Sequence, residues 1–122
     1  MAEIEKLVII CTVGLENTEK AALPFILATA AQAMNINPVI ILQSSAVEIA
    51  KIGIAETIIT KEVKQLKELM DSYISEWGVL NVCSTCLESR DITSEELVVG
   101  SEIITAESIV SEVLSAKSVV TY

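Results

Sequence analysis

The stretch WGVLNVCSTCLESRD, residues 77–91, contains the change of secondary structure that decides the fold. Residues 79–82 form a short apolar segment bounded by Gly78, which is typical of a strand in a buried sheet. The residues that follow, to about Arg90, are predicted to form a short helix. A strand that leads directly into a helix is the repeating unit of α/β proteins.

The rest of the chain repeats this alternation of strand and helix. Apolar, β-branched segments predict four more strands, at residues 6–12, 38–42, 102–105 and 118–122. Asn17 or Thr18 is expected to cap a first helix. That helix reaches about Met34, and Pro24 is expected to kink it or delay its start. The alternation predicts right-handed crossovers and a parallel sheet covered by helices on both faces.

The remaining helices carry signals at their ends. Ser44 or Ser45 is expected to cap a short helix that ends before Gly53, and Thr105 is expected to cap the last helix. The helix between them places its apolar side chains on one stripe, which consists of Val63, Leu66, Met70, Tyr73, Ile74 and Trp77. Gly78 stands where a left-handed residue would end that helix.

The composition fits one domain with an aliphatic core. The 122 residues are enough for one core and too few for two, so residues 1–122 are predicted to form a single domain. Apolar residues make up 52% of the chain and aromatic residues only 3%. A chain this small cannot bury so much apolar surface by itself, so we expect a homo-oligomer.

Charge and cysteine content limit the partners and the compartment. A net charge of −9 repels nucleic acid and anionic lipid surfaces, so neither is an expected partner. No apolar run is long enough to span a membrane, and the first residues lack the pattern of a signal peptide. Three cysteines are an odd number, which favours reduced thiols in the cytoplasm over a disulfide scaffold.

Cys83 is the first candidate for chemistry. Functional groups in an open parallel sheet collect beyond the carboxyl ends of the strands, and Cys83 follows the third predicted strand. Free backbone N–H groups at the start of the next helix would stabilise its thiolate and lower its pKa. A reactive Cys83 would also have to be partly exposed. The alternative is that Cys83 is a small hydrophobic side chain of the core.

Cys86 lies three residues further on, on roughly the same face of the predicted helix. A C-x-x-C spacing allows a redox disulfide or half of a zinc site. No metal site is expected, because the chain has no histidine and only Cys11 as a further cysteine. Cys11 is expected to fill the core at the end of the first strand. Arg90 would either attract an anionic sulfur species or pair with an acidic residue.

Other reaction classes lack the residues they need. Thioredoxin chemistry is disfavoured, because both prolines, Pro24 and Pro38, precede the C-x-x-C cysteines. The absence of histidine excludes the Cys-His couple of cysteine proteases. No glycine-rich phosphate-binding motif occurs, so no nucleotide cofactor is expected.

Over nearly its whole length the chain resembles the DsrE/DsrF-like sulfur-relay family, which includes TusD. The resemblance depends on the opening apolar strand and helix, on WGVLNVCSTCLESRDI at residues 77–92 and on SAKSVVTY at residues 115–122. It implies a three-layer α/β/α fold with a five-stranded, mostly parallel sheet. It also implies assembly as trimers, hexamers or hetero-hexamers. Asp91 departs from the family motif, which has glycine after the arginine.

The same resemblance implies a function. Cys83 matches the cysteine that carries a persulfide and passes its outer sulfur to a partner, and Cys86 matches an accessory thiol of some relatives. The chain would then be a sulfur carrier, or sulfurtransferase, between donor and acceptor proteins, without a metal or organic cofactor. Two alternatives stay open: a non-catalytic oligomeric binding module of the same fold, and a redox protein that cycles between a Cys83–Cys86 dithiol and disulfide.

Overall fold

The structure is a computed structural model, and it describes residues 4–62 and 65–122. Within these ranges five strands are present, β1 (Lys6–Cys11), β2 (Asn37–Leu42), β3 (Leu80–Cys83), β4 (Ser101–Ile104) and β5 (Ser118–Thr121). The α-helices are α1 (Thr18–Ala33), α2 (Leu66–Ser75), α3 (Ser84–Glu88) and α4 (Ala106–Ser115). Short 3-10 helices cover Ser44–Ala50, Ala55–Thr57 and Ser94–Glu96.

The strands form one sheet in the order β4-β3-β2-β1-β5, and each neighbouring pair is parallel. The predicted parallel sheet is therefore confirmed. Parallel strands end at a common edge, so the loops that follow β1, β2 and β3 all begin at the carboxyl edge of the sheet. Because β2 lies between β1 and β3, the chain ends of β1 and β3 are not direct neighbours.

Alternate residues of the central strands face opposite sides of the sheet. Ile9 and Ile40 belong to the larger buried cluster, in which α1 contributes Phe25 and α2 contributes Tyr73. The intervening residues, among them Val8 and Ile41, pack towards Ile109 and Val113 of α4. Helices therefore cover both faces, as the near-continuous apolar strands require. This is the expected three-layer α/β/α arrangement.

The first helix begins where the sequence predicts. Asn17 is its cap, and the Asn17 side chain accepts a hydrogen bond from the backbone N–H of Lys20. The expectation that Pro24 delays the helix is wrong, because α1 starts at Thr18 and continues past Pro24. Pro24 is buried, and burial of its ring offsets the loss of one backbone hydrogen bond.

The end of α2 differs from the prediction. The helix stops at Ser75, and Trp77 is 93% exposed rather than part of the buried stripe. Trp77 has the left-handed backbone, with φ of +72°, so Gly78 is not the left-handed cap. Gly78 instead donates its N–H to the carbonyl oxygen of Tyr73, which closes the last turn. Val63 of the predicted stripe lies outside the described residues.

The helices are short compared with the thickness of a membrane. Among residues 4–62 and 65–122, no helix is both long and apolar enough to cross a bilayer.

Candidate functional site

Cys83 lies at the carboxyl edge of the sheet, at the junction of β3 and α3. It is the last residue of β3 and the one that immediately precedes α3. Its exposure is only 7%, and it belongs to the larger buried cluster. The expectation that the thiol of Cys83 is partly exposed is therefore wrong, because Cys83 is nearly buried. The reason is the strand order, which encloses β3 between β2 and β4.

Polar groups surround the thiol of Cys83 despite this burial. Its Sγ atom lies 3.3 Å from the hydroxyl oxygen of Thr85. The thiol and the backbone N–H of Cys86, together with the backbone N–H of Thr85, also favour the charged form of Cys83. Burial by itself would raise the pKa of Cys83, because it disfavours the charged thiolate. The hydrogen bonds outweigh burial, so the pKa of Cys83 is lowered from its ordinary value.

Cys86 lies on α3 and is more exposed than Cys83. Its Sγ atom accepts a hydrogen bond from the backbone N–H of Ser44, with 3.2 Å between nitrogen and sulfur. Burial and the neighbouring thiol of Cys83 raise the pKa of Cys86, although the N–H of Ser44 and the charge of Arg90 oppose this rise. The two thiols therefore differ, and Cys83 is the more readily ionised one.

Arg90 makes its contacts with oxygen atoms beside the cysteines. Its Nη1 donates to the backbone carbonyl oxygen of Cys86 at 3.2 Å, and its Nε lies 3.8 Å from Oε1 of Glu48. Of the two predicted roles, pairing with an acidic residue is the one observed. The attraction of an anionic sulfur species stays a prediction.

Asp91 follows Arg90 in a left-handed conformation, with φ of +53°. Glycine adopts this backbone freely, and aspartate is among the few other residues that tolerate it. The N–H of Asp91 donates to the carbonyl oxygen of Glu88 at 3.1 Å, which ends the helical segment. The departure from the glycine of the family motif therefore changes the charge at this position while keeping a backbone that suits glycine.

The loops after β1 and β2 are joined by a group of hydrogen bonds. Ser45 donates its hydroxyl to the carboxylate of Glu16. The N–H of Gly14 lies 3.0 Å from an oxygen of that carboxylate and 3.1 Å from the hydroxyl oxygen of Ser45. The bond from Ser45 is the main reason why the pKa of Glu16 is lowered, and Gly14 and the charge of Arg90 add to the effect. Glu16 therefore stays ionised and ties the two loops together.

Neither predicted serine caps the 3-10 helix at Ser44–Ala50. That helix follows Gln43, and no side chain closes its first turn. Ser44 lies inside the helix with φ of +53°, and its N–H is used by Cys86. Ser45 uses its hydroxyl for Glu16 instead. Ser44 thus contacts Cys86 and Ser45 contacts Glu16, so the two serines connect the segment after β2 to its neighbours. The sequence pattern of helix caps does not predict these contacts.

Cys11 is not part of this group. It is 2% exposed, and burial raises the pKa of its thiol. One strand separates β1 from β3, which puts Cys11 and Cys83 about 10 Å apart across the sheet. The prediction that Cys11 fills the core is confirmed.

Three residues of the site were missed by the sequence analysis, namely Thr85, Ser44 and Glu16. Each lies in a loop or helix that follows a strand at the carboxyl edge. This position after a predicted strand is the feature of the sequence that could have identified them as site residues. In the two ranges that the structure describes, no group of three or more His, Cys, Asp or Glu side chains is arranged to hold a metal ion.

Changing Thr85 to valine is expected to raise the pKa of Cys83, because valine keeps the shape of threonine but loses the hydroxyl at 3.3 Å from Sγ. A lowered pKa keeps the thiolate present at lower pH, so a rise moves the midpoint of alkylation to higher pH. We expect the alkylation rate of Cys83 at neutral pH to fall by roughly threefold to tenfold. Thr85→Ser keeps a hydroxyl and is expected to alkylate like the wild type; equal rates in all three proteins would contradict the assigned hydrogen bond.

Comparisons with known proteins show the family and the fold. The sequence profile of the DsrE/DsrF-like family matches residues 5–122. A protein of Methanocaldococcus jannaschii described as uncharacterized is 31% identical over 103 residues, which is 84% of this chain and 38% of that protein. The chain thus spans less than half the length of this relative.

Two solved structures show the same fold. The ychN protein from E. coli superposes with a TM-score of 0.83 at 24% identity, covering 98% of this chain and all of that one. The protein MTH1491 of unknown function from Methanobacterium thermoautotrophicum superposes with a TM-score of 0.70 at 10% identity, covering 98% of this chain and 100% of that one. The match of the family profile over nearly the whole chain shows the family itself: this protein belongs to the DsrE/DsrF-like family.

Proposed function

We propose that the protein is a sulfur carrier that holds sulfane sulfur as a persulfide on Cys83 and passes it to the thiol of a partner. The observation that carries the proposal is the position of Cys83 at the end of β3, nearly buried and 3.3 Å from the hydroxyl oxygen of Thr85, where the surrounding polar groups lower the pKa of its thiol. A thiolate at neutral pH is the form of cysteine that attacks sulfur. Membership of the DsrE/DsrF-like family supports the same reaction.

The loading step is a displacement at sulfur. The thiolate of Cys83 attacks the outer sulfur of a donor persulfide, a new S–S bond forms, and the donor leaves as a thiolate. Delivery reverses the roles, because the acceptor thiolate attacks the outer sulfur on Cys83 and Cys83 leaves as the thiolate. No net oxidation or reduction occurs. A lowered pKa helps both steps, since it makes Cys83 an available nucleophile and a good leaving group.

The position of Cys83 favours delivery to a docked partner. With 7% of its surface exposed, it offers little access to large thiols in solution. A donor or acceptor protein has to present its cysteine at the carboxyl edge, beside Thr85 and Cys86. A carrier that depends on free thiols also fits a reducing compartment such as the cytoplasm.

The test is to incubate the reduced protein with inorganic polysulfide and determine by peptide mass spectrometry which cysteine gains sulfur. We expect one added sulfur atom on the peptide that contains Cys83, and its removal by dithiothreitol. Absence of any added sulfur in both the wild type and Cys86→Ser, or sulfur found mainly on Cys11, would refute the proposal. Delivery is then measured as sulfur appearing on a small acceptor thiol with loss of the same sulfur from the protein.

We also propose that the carrier assembles with copies of itself through α4. On the outer side of this helix Leu114 is 80% exposed and Val110 is 55% exposed, one turn apart. Exposed aliphatic side chains that neighbour one another favour burial in a subunit contact.

Leu114→Glu is expected to convert the assembly to monomers, because it places a charge in the proposed contact. Sedimentation velocity measures the outcome. Ser72→Glu adds the same charge to an exposed position on α2, across the sheet, and is expected to leave the assembly unchanged. A wild-type protein that sediments as a monomer at all concentrations would contradict this contact.

A further inference from the structure

Cys86 is the thiol nearest in sequence to the proposed carrier, and its sulfur is fixed by a contact of its own. The N–H of Ser44, from the segment after β2, donates to Cys86 Sγ at 3.2 Å. Cys83 immediately precedes α3 and Cys86 lies in its first turn, so the two thiols are close enough for each to shift the pKa of the other. This pair therefore has a defined arrangement at the start of α3, and C-x-x-C pairs in such positions can form disulfides.

A persulfide on Cys83 would contain two sulfur atoms of different accessibility. The inner one is Sγ of Cys83, in a residue that is 7% exposed, and the outer one extends beyond it. Thiols from solution meet the outer sulfur first. Cys86 belongs to the same protein and lies three residues further on, in the first turn of α3, so it can reach the atom that solvent thiols reach least.

We propose that Cys86 resolves the persulfide of Cys83: its sulfur attacks Sγ of Cys83, a Cys83–Cys86 disulfide forms, and the outer sulfur leaves as hydrosulfide. This inference rests on the proposed function, because it requires a persulfide on Cys83. It adds an activity to it, the reduction of sulfane sulfur to sulfide when no acceptor is docked.

The reaction balances without an added oxidant. The S–S bond of the persulfide breaks, and its electron pair leaves with the outer sulfur, which keeps its proton as HS⁻. The proton of the Cys86 thiol passes to water as the new S–S bond forms. The sulfane sulfur gains two electrons, and the two cysteine thiols together lose two. A dithiol reductant must then reduce the disulfide to restore the protein.

The surroundings of Cys86 slow this reaction. Burial and the neighbouring Cys83 raise the pKa of Cys86, so at neutral pH its thiol is mainly protonated. The N–H of Ser44 and the guanidinium of Arg90 act in the opposite direction. The charge of Arg90 is shared with Glu48, 3.8 Å away, and with the carboxylate of Glu16. A mainly protonated Cys86 gives a docked partner time to accept the sulfur before resolution occurs.

The experiment follows the fate of a loaded sulfur in the wild type and in Cys86→Ser. Both proteins are treated with inorganic polysulfide, freed of it by rapid gel filtration, and incubated without thiols. We expect the wild type to release one equivalent of hydrosulfide and to lose two hydrogens relative to the reduced protein, with Cys83 and Cys86 linked. Cys86→Ser is expected to keep its added sulfur and to release sulfide about tenfold more slowly or less.

A separate measurement tests the disulfide without any sulfur loading. Treatment of the unloaded wild type with diamide is expected to link Cys83 to Cys86. Equal persulfide lifetimes in wild type and Cys86→Ser would overturn the inference and leave the carrier function intact, as would transfer of the sulfur to Cys86 without sulfide release. Failure of both proteins to gain sulfur would overturn the carrier function and this inference with it.

Discussion

Replacing Cys83 by serine is expected to lower the rate of sulfur uptake by more than about a hundredfold, in effect to the background of the assay. A serine hydroxyl is not ionised at neutral pH, and its oxygen is a poor nucleophile towards sulfur. The hydrogen bond with Thr85 can persist, because serine offers a hydroxyl where cysteine offers a thiol. The measurement is intact mass after incubation with polysulfide, together with the rate of iodoacetamide labelling.

Two matched variants separate the role of Cys83 from general thiol chemistry. Cys86→Ser is expected to keep the uptake of one sulfur, because the backbone N–H groups and Thr85 still stabilise the Cys83 thiolate. Cys11→Ala removes a buried thiol and is also expected to keep uptake. A Cys83→Ser protein that gains sulfur as fast as the wild type would show that another cysteine is the carrier. The thermal unfolding midpoint of each variant shows whether the fold is retained.

The sequence predicts at which edge of the sheet the candidate site lies. Parallel strands end at one edge, so a cysteine that ends the third strand belongs at that edge wherever the strand lies in the sheet. The contact between Cys86 and Ser44, in contrast, cannot be predicted from the sequence. It depends on β2 lying directly beside β3, and strand order is set by packing across the whole sheet rather than by any local signal. The same order determines the burial of Cys83.

Side-chain patterns also explain the errors at element ends. Trp77 has helical spacing from Tyr73 and Ile74, and periodicity alone continues the helix to it. The close approach of Gly78 to Tyr73 ends the helix earlier, and Trp77 then takes a left-handed turn. Local propensity does not predict this left-handed turn, because Trp77 is neither glycine nor asparagine. The predicted ends of all five strands lie within one residue of the observed ends.

Gly78→Ala is expected to reduce the free energy of unfolding by about 3 kcal/mol, a large share of the stability of a small domain. A Cβ atom at residue 78 would collide with the backbone carbonyl oxygen of Tyr73 and lie 2.6 Å from two carbon atoms of its ring. The ring cannot move freely. Its hydroxyl accepts from the N–H of Ile40 at 3.2 Å and donates to the carbonyl oxygen of Val79 at 2.7 Å, so it joins β2 to the start of β3.

Gly53→Ala is the matched control, because the same methyl group at residue 53 meets no atom within 4 Å. Gly53 has φ of +89°, so this variant measures the backbone penalty alone, expected at about 1 kcal/mol. Chemical denaturation of the wild type, Gly78→Ala and Gly53→Ala gives the loss in free energy of unfolding for each variant. If Gly78→Ala loses no more stability than Gly53→Ala, the chain near Tyr73 relaxes at little cost and the close approach of residue 78 to Tyr73 does not contribute to stability. A larger loss at residue 78 assigns the excess to the contacts of the methyl group with the carbonyl oxygen and the ring of Tyr73, which residue 53 lacks.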